Sequence, residues 1–242
     1  MRRAGALALL ALAAASSGGA AAGQAAGARP VVWVQAGHEG PREPGYAAQT
    51  GAQGEIAFTT RLAAALERRL RAAGVDARHT PGLVTPMGAA GAIFISLHHD
   101  VSSGHAAVAG AVTGGGENWY HGEGSGTPSQ RPYADSAPHR TPPSSVSAAV
   151  ASASAHLAGL VAARYGAVFT TANGARSGPV TVVGPGGNQR MTHYYGFYRT
   201  TARARVIVEC GAGGRDGAVL ARTELIAGAL ATAILQDLGR RA

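Results

Sequence analysis

The chain has 242 residues, a formal charge of +8, 46% hydrophobic residues and one cysteine, Cys210. This length suits one domain with a real core, and a single cysteine excludes an intrachain disulfide. The positive charge favours anionic partners. Because the arginines are scattered and no groove-binding motif accompanies them, we predict no nucleic-acid partner and interpret most arginines as a solvated face.

The N-terminal segment has the order of a secretory signal. Arg2 and Arg3 precede an apolar stretch over 6–15, and small residues including Ala22 follow it. The stretch is too short for a typical membrane span, so we predict cleavage after Ala22, a flexible segment over 23–29 and one domain over 30–242. The mature protein is then secreted or periplasmic, with an uncleaved N-terminal anchor as the alternative.

Hydrophobic periodicity predicts strands alternating with helices. The predicted strands are 31–36, 75–78, 92–97, 206–210 and a further strand or hairpin over 106–112 and 118–120. The predicted helices are 55–73, 147–165 and 218–238. In the first helix Leu62, Leu66 and Leu70 recur every four residues, and Gly74 follows as a helix stop. Segments 37–54 and 122–145, rich in Gly and Pro, are predicted to be long loops.

The apolar strands indicate the fold class. Short continuous apolar runs are typical of buried strands in α/β sheets. We therefore predict a single α/β domain in three layers, with helices packed on a mixed, mainly parallel β-sheet. Cys210 lies in such a run and is predicted to be a small buried hydrophobic residue.

Four residues that can handle metal or protons lie at or near element ends. His38 follows the first strand after Gly37, His98 follows the central strand, Glu209 lies in the last strand and Glu55 begins the first helix. Open sheets place their sites at the carboxyl ends of such strands. His, Glu and His form a common ligand set for catalytic zinc, which leaves one position for water. We predict a zinc hydrolase with these three ligands and Glu209 as the general base and acid.

Each assignment has a structural alternative. A histidine after a strand is often structural, and Glu55 suits a helix dipole as a first-turn acid. His98 and His99 are adjacent, so their side chains point to opposite faces and only one easily binds the same metal; the other lines the cleft or hydrogen-bonds a ligand. Glu209 is costly inside an apolar strand unless it is paired or functional. We expect Glu39 to face solvent.

The remaining histidines receive no role, and no residue is assigned to substrate binding. These histidines are His79, His105, His121, His139, His156 and His193.

Four segments together resemble the zinc-dependent N-acetylmuramoyl-L-alanine amidases of the type-3 amidase family. The matching segments are Ala36-Gly37-His38, Gly54-Glu55-Ile56-Ala57-Phe58, Phe94-Ile95-Ser96-Leu97-His98 and Val208-Glu209-Cys210-Gly211. They are collinear and extend over roughly 30–238. The resemblance implies a phosphorylase/hydrolase-like amidase fold, one zinc ion held by His38, Glu55 and His98, and Glu209 as the catalytic residue. It favours His98 over His99 as the ligand.

The resemblance also implies the reaction and the partners. The substrate is peptidoglycan, cut between the lactyl carbonyl of N-acetylmuramic acid and the amine of L-alanine. Segment 176–201 matches the family only loosely, and 122–145 has too much Gly and Pro for the inhibitory helix of some relatives. We expect a monomer without stable membrane insertion after signal cleavage, and the requirement for a protein activator stays open.

Two other functions are compatible with these residues. A secreted zinc peptidase of the carboxypeptidase type would use similar ligands, together with a site for the terminal carboxylate of its substrate. A catalytically inactive wall-binding domain would bind the polymer without needing Glu209.

Overall fold

The computed structural model describes residues 29–39, 52–81, 89–100, 108–111, 114–115, 144–173, 180–183 and 200–239. The predicted signal over 1–22, the predicted strand over 118–120 and most of the predicted loop over 122–145 lie outside these ranges. Within the ranges given, no helix is both long and apolar enough to cross a membrane.

The described residues form eight strands and four helices. The strands are β1 Val31–Ala36, β2 Asp76–Pro81, β3 Ile93–Asp100, β4 Val108–Ala111, β5 Gly114–Gly115, β6 Ser144–Ser145, β7 Thr181–Val183 and β8 Ala204–Ala212. The helices are α1 Glu55–Ala72, α2 Ala148–Asn173, α3 Gly217–Leu220 and α4 Thr223–Asp237.

Six strands form one sheet in the order β2-β1-β3-β8-β4-β7, and β5 pairs with β6 separately. Strands β2, β1, β3 and β8 run parallel, whereas β4 is antiparallel to β8 and parallel to β7. The predicted fold class, a mixed and mainly parallel sheet flanked by helices, is confirmed. Since β1, β3 and β8 are neighbours, their carboxyl ends lie side by side at one edge of the sheet.

One face of the sheet joins the helices in a continuous hydrophobic core. Alternate residues of the three central strands belong to it, together with buried residues of all four helices. These strand residues are Val32, Val34, Ala36, Ile93, Ile95, Leu97, Ala204, Val206, Val208 and Cys210. Cys210 is fully buried, as predicted. Because side chains alternate along a strand, Gln35, Ser96 and Glu209 belong to the other face.

Helix α1 follows its predicted pattern. Leu62, Leu66 and Leu70 are fully buried, and burial of each such side chain stabilises the fold by about 1.5–3 kcal/mol. The helix ends at Ala72, and Gly74 takes a positive φ of 78° just beyond it. A firmly packed α1 matters for the site, since its first residue is Glu55.

Several helix and strand ends in the structure differ from the predicted ones, among them the ends of β3 and α2, and one predicted helix is interrupted. The central strand continues to Asp100 and so includes both adjacent histidines. Helix α2 continues to Asn173 because Phe169, one turn beyond Tyr165, is buried on the same side. The segment predicted as one helix over 218–238 is helical, but it is divided into α3 and α4. Arg222, with φ −101° and ψ 53°, leaves the helical region and separates α3 from α4.

Candidate metal centre

Three side chains converge where β1, β3 and α1 meet. The ligand-type atoms of His38, Glu55 and His98 all lie within 4.8 Å of one another. Glu55 Oε1 is 2.9 Å from His98 Nδ1 and 3.6 Å from His38 Nε2. The two imidazole rings meet edge to face, with centroids 5.0 Å apart. Two imidazoles and one carboxylate in this arrangement can hold a metal ion.

His38 reaches the cluster through an unusual backbone turn. Gly37 N donates to Leu97 O at 2.9 Å, which continues the pairing of β1 with β3. His38 then takes a left-handed φ of 58°, a conformation that few residues other than glycine adopt. A Cβ added to Gly37 would lie 2.3 Å from His98 Cε1. The absence of a side chain at Gly37 therefore allows the chain to pass directly against the His98 ring.

We predict that Gly37→Ala weakens zinc binding at least tenfold. The added methyl group cannot be accommodated unless the His98 ring moves, and ligand misplacement on this scale is costly. The dissociation constant is measured by competition with a coloured chelator. Gly159→Ala is the matched control, since a Cβ there meets nothing within 4 Å. Equal zinc affinity for Gly37→Ala and the wild type would contradict the prediction.

Glu55 is a buried carboxylate at the first position of α1. Its Oε2 accepts a hydrogen bond from Ala52 N at 2.7 Å, and its Oε1 accepts one from His99 N at 3.2 Å. Burial by itself would raise the pKa of Glu55, but the hydrogen bond with His98 and the charges of His98 and His38 lower this pKa to about 2. The carboxylate is therefore ionised at neutral pH, as a metal ligand must be.

A buried polar chain orients the His98 ring. Ser96 Oγ donates to Gln35 Oε1 at 2.5 Å, so its lone pair accepts from His98 Nε2 at 3.1 Å. This assignment of protons follows from the hydrogen-bond network, and it leaves Nδ1 facing Glu55. Sequence reasoning missed both partners. The available signal was the occurrence of Gln35 and Ser96, two polar residues, inside apolar strands.

Glu209 lies in β8 directly opposite His98 in the parallel register. Its Oε2 is buried and has no hydrogen-bond partner in the described part of the chain. Burial raises the pKa of Glu209, and the negative charges of Glu55 and Asp100 raise it further against the opposing influence of His98 and His99. An unsatisfied buried carboxylate oxygen is expensive for folding, so its position beside the cluster points to a chemical use.

His99 lies outside the cluster. Its ring packs edge to face on Phe58 with centroids 5.4 Å apart, and its Nδ1 donates to Asp100 O at 3.0 Å. His99 lines a cavity of about 480 Å³ whose wall also includes Arg61 and Leu220. Of the adjacent pair, His98 faces the other ligands and His99 faces this neighbouring space.

The prediction that Glu39 faces solvent is wrong. Glu39 is 7% exposed, and its carboxylate contacts His79 Nε2 at 2.6 Å and Thr60 Oγ1 at 3.1 Å. The parallel pairing of β2 with β1 brings His79 beside the end of β1. No local signal could have indicated this contact, because the two residues are 40 positions apart in the chain.

The comparisons with known proteins agree on the fold. No family model and no curated protein sequence matches the chain. Among solved structures, the chain is similar to the N-acetylmuramyl-L-alanine amidase Ami1 from Mycobacterium smegmatis. Their sequence identity is 13%, the TM-score is 0.51, and the match covers 87% of this chain and 97% of that one.

Two other solved amidases match over the same extent. The apo form of Ami1 from Mycobacterium abscessus is 14% identical with a TM-score of 0.51, covering 86% of this chain and 98% of that one. The CwlD amidase from Clostridioides difficile, solved in complex with the GerS lipoprotein, is 12% identical with a TM-score of 0.50. The match covers 87% of this chain and 99% of that one. At these identities the comparison shows that the chain shares the fold of these amidases.

Proposed function

We propose that this chain is a secreted, zinc-dependent N-acetylmuramoyl-L-alanine amidase of the type-3 family. It hydrolyses the amide bond between N-acetylmuramic acid and L-alanine in peptidoglycan. The observation that carries the proposal is the His38–Glu55–His98 cluster with the buried Glu209 carboxylate beside it, whose Oε2 has no hydrogen-bond partner among the described residues. Similarity in fold to a solved N-acetylmuramyl-L-alanine amidase over 87% of this chain supports the same assignment.

The donor set fits one zinc ion. Two imidazole nitrogens and one carboxylate oxygen are a ligand set of catalytic zinc sites, in which a further position stays open. The chain of hydrogen bonds from Gln35 through Ser96 to His98 fixes one ligand ring, as partners of zinc ligands commonly do. Zinc, when bound, supplies Lewis-acid polarisation of the substrate carbonyl and activation of water.

Glu209 handles the protons of the reaction. Its carboxylate accepts a proton from the attacking water as the new carbon–oxygen bond forms, and it then donates that proton to the nitrogen of L-alanine as the carbon–nitrogen bond breaks. The raised pKa suits both roles, since a base whose pKa lies closer to neutrality is also a usable acid. The buried Oε2, which meets no hydrogen-bond partner in the part of the chain that the structure describes, remains available for this transfer.

The proposal includes the domain organisation and the location of the protein. Residues 1–22 act as a signal that is removed, residues 23–29 form the N-terminal segment of the mature protein and residues 30–242 form the catalytic domain. The mature enzyme works as a monomer outside the cytoplasm. Its substrate is peptidoglycan, and no nucleic acid takes part.

A carboxypeptidase-type peptidase is the second candidate, and Arg61 is the observation that favours it. Arg61 lines the cavity beside His99 and is exposed to solvent. Such a cation suits the terminal carboxylate that a carboxypeptidase must bind. In an amidase the same arginine would meet a carboxylate of the peptide stem, so the reaction products must decide between the two functions.

The test is digestion of purified peptidoglycan by the protein truncated before Gly23, with zinc present or removed, and identification of products by mass spectrometry. We expect zinc-dependent release of peptides with a free L-alanine amino terminus. Cleavage within the peptide stem would instead establish the peptidase. Wall binding without release, by zinc-loaded protein, would contradict both enzymes and favour a binding domain.

A further inference from the structure

Glu39, directly after the ligand His38, is part of a partly buried polar contact that the proposed chemistry does not use. Its Oε2 lies 2.6 Å from His79 Nε2, and its Oε1 accepts a hydrogen bond from Thr60 Oγ1 at 3.1 Å. A carboxylate that is 7% exposed is stable only when it is well paired. Short charge-assisted hydrogen bonds of this kind are stronger than neutral ones and define a geometry.

The segment that Glu39 follows needs such support. His38 has a left-handed φ of 58°, which is unfavourable for a residue other than glycine and persists only where the surrounding structure holds it in place. Gly37 on the other side of His38 is held as well, because Gly37 O accepts a hydrogen bond from Thr59 Oγ1 at 2.9 Å. Hydrogen bonds to Gly37 and Glu39 therefore hold the chain in place on both sides of His38.

The hydrogen bonds on both sides of His38 connect it to the same two elements, α1 and β2. Thr59 and Thr60 lie in α1, the helix that begins with the ligand Glu55. His79 lies in β2, and its backbone N donates to Glu67 of α1 at 3.3 Å. Strand β2, helix α1 and the end of β1 thus form one connected frame around His38, so the position of His38 relative to Glu55 depends on the Glu39 contacts.

We propose that the Glu39–His79 pair is a positioning device for the metal ligand His38. Glu39 is not itself offered as a ligand, because both of its oxygens are already occupied by His79 and Thr60. The inference rests on the proposed zinc site and adds two residues to it. It assigns a role to His79, which lies 40 residues from Glu39 in the chain.

The test is a double-mutant cycle on zinc affinity. The variants are Glu39→Ala, Glu39→Gln, His79→Ala and the Glu39→Ala/His79→Ala double variant, each measured by competition with a chelator. Loss of an indirect partner of a metal ligand commonly weakens metal binding about 10–100-fold, and we expect this range for Glu39→Ala. We expect the double variant to bind no more weakly than Glu39→Ala, since each change removes the same contact.

Two readouts separate positioning from a merely structural role. The visible spectrum of the Co²⁺-substituted protein reports the ligand geometry, and we expect it to change in Glu39→Ala and to return toward the wild type in Glu39→Gln, which keeps an acceptor oxygen. The melting temperature of the metal-free variants reports folding. Glu224→Gln is the control, because it alters an exposed carboxylate paired with Arg68 far along the chain from the site.

Zinc affinity within threefold of the wild type and an unchanged Co²⁺ spectrum in Glu39→Ala would overturn this inference and leave the proposed function standing. A lower melting temperature of Glu39→Ala, with zinc affinity and Co²⁺ spectrum unchanged, would also overturn the inference and leave the proposed function standing. Failure of the wild-type protein to bind zinc would overturn the proposed function and the inference with it, so the two failures are distinguishable.

Discussion

Replacing Glu209 by glutamine is expected to reduce hydrolysis of peptidoglycan by about 10²–10⁴-fold, the range that a positioned acid–base group contributes. Glutamine has nearly the same shape but cannot accept and return the proton. Zinc affinity should change little, because Glu209 is not one of the three clustered residues. Product release is followed by mass spectrometry on zinc-loaded protein, with bound zinc measured on the same samples.

The same variant should make the metal-free protein more stable at neutral pH. Burial raises the pKa of Glu209 in the folded state, so folding favours the protonated form. The corresponding stability is present below the ordinary pKa of a carboxyl group and is lost as the pH rises through the raised value. Glutamine stays neutral and avoids this loss.

Thermal unfolding of both metal-free proteins across the pH range checks this expectation. The difference in melting temperature should grow as the pH rises from acid to neutral. Glu224→Gln, which replaces an exposed carboxylate, should show no such growth. Parallel curves for Glu209→Gln and the wild type would show that Glu209 is not held in an unfavourable buried environment, and full activity in this variant would exclude it as the catalytic residue.

Replacing His98 by alanine is expected to abolish stoichiometric zinc binding and with it all measurable hydrolysis. His98 contacts both Glu55 and Ser96, so its removal takes away a ligand and the link to the polar chain behind it. Two remaining ligands do not make a catalytic zinc site. Bound metal is measured after dialysis, and His99→Ala is the matched control from the adjacent position.

We expect His99→Ala to retain zinc, because the His99 side chain packs on Phe58 and contacts Glu55 only through its backbone. Loss of zinc in His99→Ala with retention in His98→Ala would reverse the assignment of the ligand. In the wild type, the hydrogen bond and the charge of His98 oppose the effect of burial and help to lower the pKa of Glu55 to about 2. In the metal-free protein, His98→Ala removes both of these effects.

That change has a defined pH signature. A lowered carboxyl pKa contributes stability above its ordinary value of about 4.5, and this contribution is lost as the pH falls towards about 2. Without His98 the contribution becomes smaller, because only the charge of His38 and the hydrogen bond from Ala52 N still oppose burial, so the metal-free variant should be less stable than the wild type at neutral pH. The difference between their melting temperatures should narrow as the pH falls through this window.

The sequence by itself determined the helices and strands in which the pattern of apolar residues matches the buried face. The run over 31–36 became β1 with the predicted bounds, and the stripe of Leu62, Leu66 and Leu70 became the buried side of α1. The periodicity of side chains along a strand or helix records which face is apolar, so it can be read without knowledge of the neighbours. The mainly parallel sheet followed from several such runs.

The convergence of His38, Glu55 and His98 was predictable for a related reason. Each residue stands at the end or start of a recognisable element, and parallel strands bring their carboxyl ends to one edge. The positions of the three residues in the chain therefore indicated that they lie close together at one edge of the sheet. It could not indicate that His38 adopts a left-handed turn or that Gly37 must lack a side chain to clear the His98 ring.

Only the tertiary structure decided the contacts that hold the cluster. The chain from Gln35 through Ser96 to His98 depends on β1 lying beside β3, and the Glu39–His79 pair depends on β2 lying beside β1. Periodicity indicates the face of the strand on which a side chain lies. It does not indicate which other strand lies beside that strand in the sheet. Hydrogen bonds between distant residues arise from strand order and register, and these are properties of the assembled sheet.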